Sequence, residues 1–383
     1  MRILLVHTFY QIKGGEDSVF RQEIDLLSKS HEVQSITFQN RTGWRGAIQF
    51  LISIWNISNA NILRRKIVAF KPDIIHIHNL HFAIGPIAIL VAKKFDIPVV
   101  LTLHNFRLLC PSGILQHKGS LFLSSLTEPF PWKAVRNRVY RNSYFQTFWL
   151  SLIVWFHRQI GTWIKVDQYI VLTDFAKELF LNSVLNINVD SISVKPNFIE
   201  KPSYSAHPRN NTFLFVGRLM EEKGIACLIN AFKDSGNCLK IAGSGPLLNL
   251  VEETCANYKN FEYLGNLDKV EVLAAMQKCT ALVFPSTWYE GMPMTILEAF
   301  SLGTPVIASN LGAMQTMIRD NHNGLLFKPG DSGDLQKSIN YWSSLSEDVK
   351  YTFRENAKQT FEEKYTAKIN NEILKRIYNR VLD

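Results

Sequence analysis

The sequence lacks the features that would place it in several large classes. Its longest apolar runs, residues 48–57 and 145–156, fall well short of the roughly 20 residues needed to cross a bilayer, so no transmembrane helix is predicted. The chain opens directly on the strand-like Met1-Arg-Ile-Leu-Leu-Val-His7, without the length or small-residue cleavage site of a secretory leader, so export is not expected. Cysteine is sparse. Cys110, Cys227, Cys238, Cys255 and Cys279 are odd in number and unpaired in spacing, which argues against a zinc cluster or redox dithiol and suggests buried thiols in a reducing, cytoplasmic compartment. There is no nucleic-acid motif and no lysine-rich tail, so nucleic acid is not an expected partner.

What remains is an ordinary globular composition. Hydrophobic residues at 46% and charged residues at 20% allow substantial cores, and 383 residues suit two domains better than one. Lys and Arg exceed Asp and Glu by nine (42 against 33), which favours anionic partners: nucleotide phosphates or acidic lipid headgroups.

Short β-branched runs alternate with helical-length segments, the pattern of parallel sheets covered by crossover helices. Strands are predicted at 2–7, 32–38, 73–78, 99–104, 168–172 and 192–195, all read as buried on both faces. The periodicity breaks at the proline-bearing stretch 195–211, and a second series follows at 213–217, 239–242, 261–264, 281–285, 305–309 and 324–327. The expected fold is therefore α/β, with one domain over 1–197, a second over 198–366, and a last helix, 367–383, returning to the first.

The most informative segment is Phe284-Pro-Ser-Thr-Trp-Tyr-Glu-Gly-Met-Pro-Met-Thr-Ile-Leu-Glu-Ala-Phe300. A helix starting near Pro293 would point the amides of Gly291, Met292, Met294 and Thr295 into the crevice at the carboxyl end of the preceding strand, a phosphate site. Glu290 stands just before that helix and Glu298 about a turn inside it, where carboxylates could accept hydrogen bonds from sugar hydroxyls. Spacing alone equally allows Glu298 to form a capping box with Thr295, and Glu290 to be a solvated loop carboxylate. Upstream, Gly217 closes a strand and is followed by Arg218 and Lys223, two cations suited to a departing diphosphate, or a solvated surface pair. Gly243-Ser-Gly-Pro246 is a tight turn whose Gly243 and Gly245 would permit close approach of a nucleoside.

Together these motifs resemble the retaining glycosyltransferases of the GT-B fold, family 4. Glu290 and Glu298 match its E-x7-E pair, Arg218 and Lys223 its phosphate element, Gly243 to Pro246 its glycine turn and Gly303-Thr-Pro-Val-Ile-Ala-Ser309 its following strand. The resemblance extends over nearly the whole chain and implies two Rossmann-like domains facing across a cleft. It also implies that Gly14 and Gly15 lie near the donor phosphates and that His104, in Thr102-Leu-His-Asn-Phe-Arg107, touches the donor sugar, with Arg107 beside it. Asn105 stands where relatives often carry an aspartate, and Thr316 where they commonly carry an acidic residue.

His76, His78 and His81 invite a metal reading through H-x-H spacing, but no acidic or cysteine ligand accompanies them in the sequence, so no metal site is expected. Asn79 and His81 are read as cleft lining on the acceptor side. The segment 132–165 mixes Lys133, Arg136, Arg138, Arg141, Arg158 and Lys165 with tryptophan and has no acidic residue. It suits an anionic membrane interface, or a core helix with a solvated basic edge.

The resemblance implies metal-independent, retaining transfer of a hexose-type sugar from a nucleotide-sugar co-substrate, with no cofactor. The implied setting is surface-polysaccharide assembly on a saccharide or lipid-linked acceptor at the inner membrane face. A sugar-nucleotide epimerase or hydrolase of the same fold, and a non-catalytic nucleotide-sugar-binding scaffold, are the alternatives.

Overall fold

The computed structural model describes residues 1–11, 14–202 and 208–383. The chain divides into two compact units. The first comprises Met1–His117, Phe122–Asn197 and Ala367–Asp383; the second comprises Lys118–Leu121 and Phe198–Thr366. Within the interdomain stretch considered from sequence, residues 203–207 lie outside the described residues. Arg209 is no loose linker residue: its guanidinium donates to the carbonyls of Leu302 (2.7 Å) and Cys279 (2.9 Å) and to Thr304 Oγ1 (2.9 Å).

The first unit holds a six-stranded parallel sheet of β1 (Arg2–Phe9), β2 (Glu32–Gln39), β3 (Ile74–Ile77), β4 (Val99–Leu103), β5 (Gln168–Val171) and β6 (Ile192–Val194). The spatial order is β2-β1-β3-β4-β5-β6. The order reverses between β1 and β3, so their carboxyl ends open the crevice where doubly wound sheets take ligands. Strands β3 and β4 are fully buried, as their unbroken apolar character demands. Strand β2 corrects the expectation of two buried faces: it lies at the sheet edge and most of its residues reach solvent, which its polar alternation Glu-Val-Gln-Ser-Ile-Thr permits.

The C-terminal helix Ala367–Leu382 belongs to this unit. Leu374, Ile377 and Tyr378 recur at helical spacing and pack with Ile3, Leu5, Phe20, Ile74 and Val100 in one core.

The second unit repeats the plan with β7 (Thr212–Val216), β8 (Cys238–Ala242), β9 (Phe261–Gly265), β10 (Ala281–Phe284), β11 (Val306–Ser309) and β12 (Gly324–Phe327). Its order is β9-β8-β7-β10-β11-β12, all parallel, with the reversal between β7 and β10. Of the cysteines, Cys110 and Cys279 are buried, but Cys227 and Cys255 are half-buried and Cys238 is exposed, so the expectation of buried thiols holds for only two. No described helix is long and apolar enough to cross a membrane.

Candidate functional site

In the second unit, the loops after β7 and β10 bring Lys223 and Glu290 together, while Glu298 is paired elsewhere and Arg218 is exposed. Lys223 ends a 3-10 turn, Glu221–Lys223, after β7, while Glu290 lies in the loop after β10. The two loops are tied by backbone: Thr287 N donates to Glu222 O at 2.9 Å. Across that tie, Lys223 Nζ meets Glu290 Oε1 at 2.6 Å. Ser286 Oγ (2.8 Å) and Trp288 Nε1 (2.7 Å) donate to the same oxygen. Glu290 is therefore 8% exposed and held by three donors, which overturns the reading of a solvated loop carboxylate. The Lys223 ammonium also sits 5.4 Å from the Phe284 ring centroid and 5.3 Å from that of Trp288, a cation held against two π faces. Arg218 is exposed, and among the described residues no carboxylate pairs with it.

The helix after this loop is Met294–Ser301, with Pro293 at its N-cap. Thr295 thus lies inside the first turn and makes no capping box with Glu298. Glu298 is instead paired with Lys269, which starts the helix Lys269–Lys278. Burial pushes its carboxyl above the usual range, and Lys269 offsets part of that rise. Gly291, Met292, Met294 and Thr295 lie along the helix entry, where an α-helix cannot satisfy its own first amides and its dipole favours an anion.

The glycine turns are sterically obligatory. Gly243 has φ +140°, and a Cβ there would sit 1.9 Å from Gly217 O; at Gly245 (φ +158°) it would sit 2.5 Å from Leu219 O. Leu219 N donates to Ser244 O at 2.9 Å, so the turns after β7 and β8 lie backbone against backbone. Gly243 and Gly245 are thus required by the fold before any ligand is considered, whereas a Cβ at Gly217 would meet only the Phe215 ring, at 3.3 Å.

In the first unit, Gly14 is the N-cap of the helix Gly15–Ser28, anchored by its N–H to Asp17 Oδ2 at 3.0 Å. Its backbone is extended, and a Cβ there would meet nothing closer than 4.0 Å, so the chain itself does not require glycine at this position. Asp17 in turn bonds His7 Nε2 at 2.8 Å. Beside this turn, Glu16 accepts from Asn79 Nδ2 at 3.1 Å; burial and the Asp17 charge push its carboxyl up to about 8, against the pull of Arg107. Asn79, His81, His104 and Asn105 line one small cavity with His78. Arg107 braces its own loop, donating to Pro111 O at 2.9 Å and lying 5.3 Å from the rings of both Phe82 and Tyr140, with its charge still felt at Glu16 and His81.

Behind that cavity the histidines are internally engaged. His104 Nε2 meets His78 Nδ1 at 3.2 Å, and burial, with Lys195 and His7 nearby, pushes His104 down to about 3. His76 bonds Tyr378 OH and Thr102 Oγ1, each at 2.7 Å. Glu23, with no exposed side-chain surface, stands 3.1 Å from Lys195 Nζ and 3.3 Å from His78 Nε2. The sequence expectation that no carboxylate joins these histidines is thereby corrected: Glu23, His76 and His78 offer ligand atoms within 4.8 Å of one another. Both His76 nitrogens face hydroxyls and the Glu23 charge faces the Lys195 ammonium, while both Glu23 oxygens and His78 Nε2 lack an aligned hydrogen bond. Ser286, Trp288, Lys269, Glu16, Glu23 and Lys195 are the site-forming residues that sequence reasoning missed. Only Ser286 and Trp288 had a signal, lying within the segment Phe284–Phe300, and Glu16 directly follows the glycine pair Gly14-Gly15.

Two six-stranded parallel sheets, each with one reversal of strand order, are the architecture of GT-B glycosyltransferase structures. Residues 25–201 match Glycosyltransferase Family 4 and residues 198–360 match Glycosyl transferases group 1. The two matches adjoin and together span residues 25–360, so over most of its length the chain is similar to these glycosyltransferases. It is 27% identical to an uncharacterized glycosyltransferase of Methanocaldococcus jannaschii over 96% of this chain and 94% of that one. A stretch of 160 residues is 31% identical to the phosphatidyl-myo-inositol mannosyltransferase of Mycobacterium leprae, covering 40% of this chain and 41% of that protein. Among solved structures, Anabaena Alr3699/HepE in complex with UDP superposes with a TM-score of 0.70 at 15% identity, over 99% of this chain and 100% of that one. The same protein is also solved with UDP-glucose, with a TM-score of 0.67.

Proposed function

We propose that this glycosyltransferase moves a hexose-type sugar, with retention of anomeric configuration, from a nucleoside-diphosphate sugar to a saccharide acceptor carried on a lipid. The observation that carries the donor half is the Lys223–Glu290 contact at the β7/β10 reversal, flanked by exposed Arg218 and the two glycine turns. Lys223 and Arg218 meet the diphosphate as its charge grows, and the amides at the entry of the helix Met294–Ser301 share that charge. Glu290 Oε1 is already held by three donors, so its second oxygen is assigned to the sugar hydroxyls. Glu298 is assigned to the ribose. Two cations and a helix N-terminus supply the positive charge a diphosphate needs, so the transfer is proposed to proceed without a divalent cation and with no other cofactor. In the first unit, His104, neutral at physiological pH, is assigned to the sugar, and Asn79 and His81 to the acceptor.

The UDP and UDP-glucose complexes of the Anabaena protein support a nucleotide-sugar donor. The relative whose name joins mannosyl transfer to phosphatidyl-myo-inositol supports a lipid-linked acceptor. The setting proposed is polysaccharide synthesis in the cytoplasm, at the inner membrane face. The test is incubation with a panel of nucleotide sugars and a lipid-linked saccharide, with and without EDTA, reading product mass and anomeric configuration by NMR. A retained linkage formed equally well in EDTA is expected. An inverted linkage, free sugar or an epimerised nucleotide sugar as the sole product, or an EDTA-abolished rate would each overturn the corresponding part of the proposal.

A further inference from the structure

The helix Gly43–Ile52 is apolar and has no buried residue. Trp44, Ile48, Leu51 and Ile52 recur at one helical face, and Trp55 continues it; their exposures run from 41% for Leu51 to 70% for Trp44. The helix is held from its other side. Gln49 bonds the backbone of Arg41 (2.8 Å) and Gln39 (3.1 Å), while Trp149 Nε1 donates to Phe50 O at 3.0 Å. Trp149 lies on the helix Tyr144–Gln159 and stacks with Phe145, itself 56% exposed. The two helices therefore contribute to one apolar, aromatic face of the first unit. Within the segment 132–165, Trp132 is 59% exposed, Trp149 and Trp155 are half-buried and Trp163 is buried.

Charge identifies what covers this face. Residues 33–72 contain Arg41, Arg45, Arg64, Arg65, Lys66 and Lys71 and no acidic residue; residues 129–166 contain six more basic residues and again none acidic. These twelve cations exceed the whole chain's net charge of +9, because the remaining residues carry 30 basic against 33 acidic groups, a net of −3. The positive charge of the protein is concentrated in two segments that include the helices of the apolar face, although Arg64, Arg65, Lys66 and Lys71 belong to the adjoining helix Ile57–Phe70 and its C-cap, and Lys133 is paired with Glu128. Some of it is mounted on the exposed rings themselves: the Arg45 guanidinium lies 5.3 Å from the Trp44 ring and that of Arg138 4.6 Å from Tyr144. A second copy of the chain would bring like charges together, whereas an apolar face edged by tryptophan and arginine matches the headgroup layer of an anionic bilayer.

We infer that the helix Gly43–Ile52, with the exposed start of the helix Tyr144–Gln159, is a docking surface for an anionic lipid bilayer. The apolar side chains enter the acyl boundary and the arginines meet headgroup phosphates. This deepens the lipid-linked acceptor reading, but its test reads binding without turnover, so either can fail alone. The full chain is floated with vesicles of phosphatidylcholine alone or mixed with phosphatidylglycerol, at low and high salt. Binding to the mixed vesicles at low salt is expected. W44S/I48S/L51S should weaken it by about tenfold or more, since several buried methylene equivalents are lost. R45Q and R138Q should each weaken it about fivefold. An unchanged thermal melt shows that these exposed changes leave the fold intact. Failure to float with the anionic vesicles, equal binding by the triple variant, or a dimer in light scattering that the triple variant dissolves would each overturn the inference.

Discussion

At the carboxyl end of β7 in the second unit, Lys223 grips Glu290, each with a little side-chain surface still exposed. At the carboxyl end of β3 in the first unit, Lys195 grips Glu23 with neither side chain exposed, and three histidines close around the pair. The residue types are the same and the outcomes differ. A buried Lys–Glu pair must satisfy itself, because each charge stranded in a low-dielectric interior is costly, whereas a pair at a crevice can exchange its partner for a ligand. The first pair is therefore sealed within its unit, whereas the second lies at the sheet reversal to which the proposed donor chemistry is assigned.

The comparison can be broken at its structural end first. Lys195→Met leaves the Glu23 carboxylate buried without its cation and should cost about 3–5 kcal/mol of stability. Adding Glu23→Gln should recover most of that loss, as read by denaturant unfolding; no recovery would mean that the pair is not the coupled unit described. Gly243→Ala places a Cβ against Gly217 O and should cost about 1–3 kcal/mol, with a larger loss of nucleotide-sugar affinity by calorimetry.

Two titrations sharpen the contrast with opposite signs. Folding raises Glu16 to about 8, so the folded chain holds a proton there that the unfolded chain releases above about 4.5, and its contribution to stability is lost as pH rises towards 8. Glu16→Gln should therefore raise the melting temperature at pH 8 and change it little at pH 4.5. Folding lowers His104 to about 3, so its contribution is present above 6.5 and lost as pH falls towards 3; His104→Gln should flatten the acid limb of the melting curve. The smallest effect is expected at Lys269, 59% exposed at the side chain, where Lys269→Met should raise the donor KM a few-fold with kcat nearly unchanged, because the lysine acts only through Glu298.

The difference between the units also governed what could be read in advance. Strand positions were legible because parallel strands covered on both faces need unbroken apolar runs, and β2 misled because an edge strand tolerates polar residues. Glu290 and Lys223 were legible because crevice residues follow strand ends in short motifs. Glu23, Lys195 and Tyr378 were not, since the network joins residues from the first helix, the end of β6 and the C-terminal helix, and no local pattern records that meeting. Lys269 stayed hidden for the same reason: its partner Glu298 lies on another helix.

The central claim is that the Lys223–Glu290 crevice handles the donor diphosphate and its sugar. It is tested most directly by comparing nucleoside diphosphate release by the wild type and Lys223→Ala at saturating donor. A rate lower by about 10²–10³ with an unchanged thermal melt is predicted. Equal rates for the two proteins would contradict it.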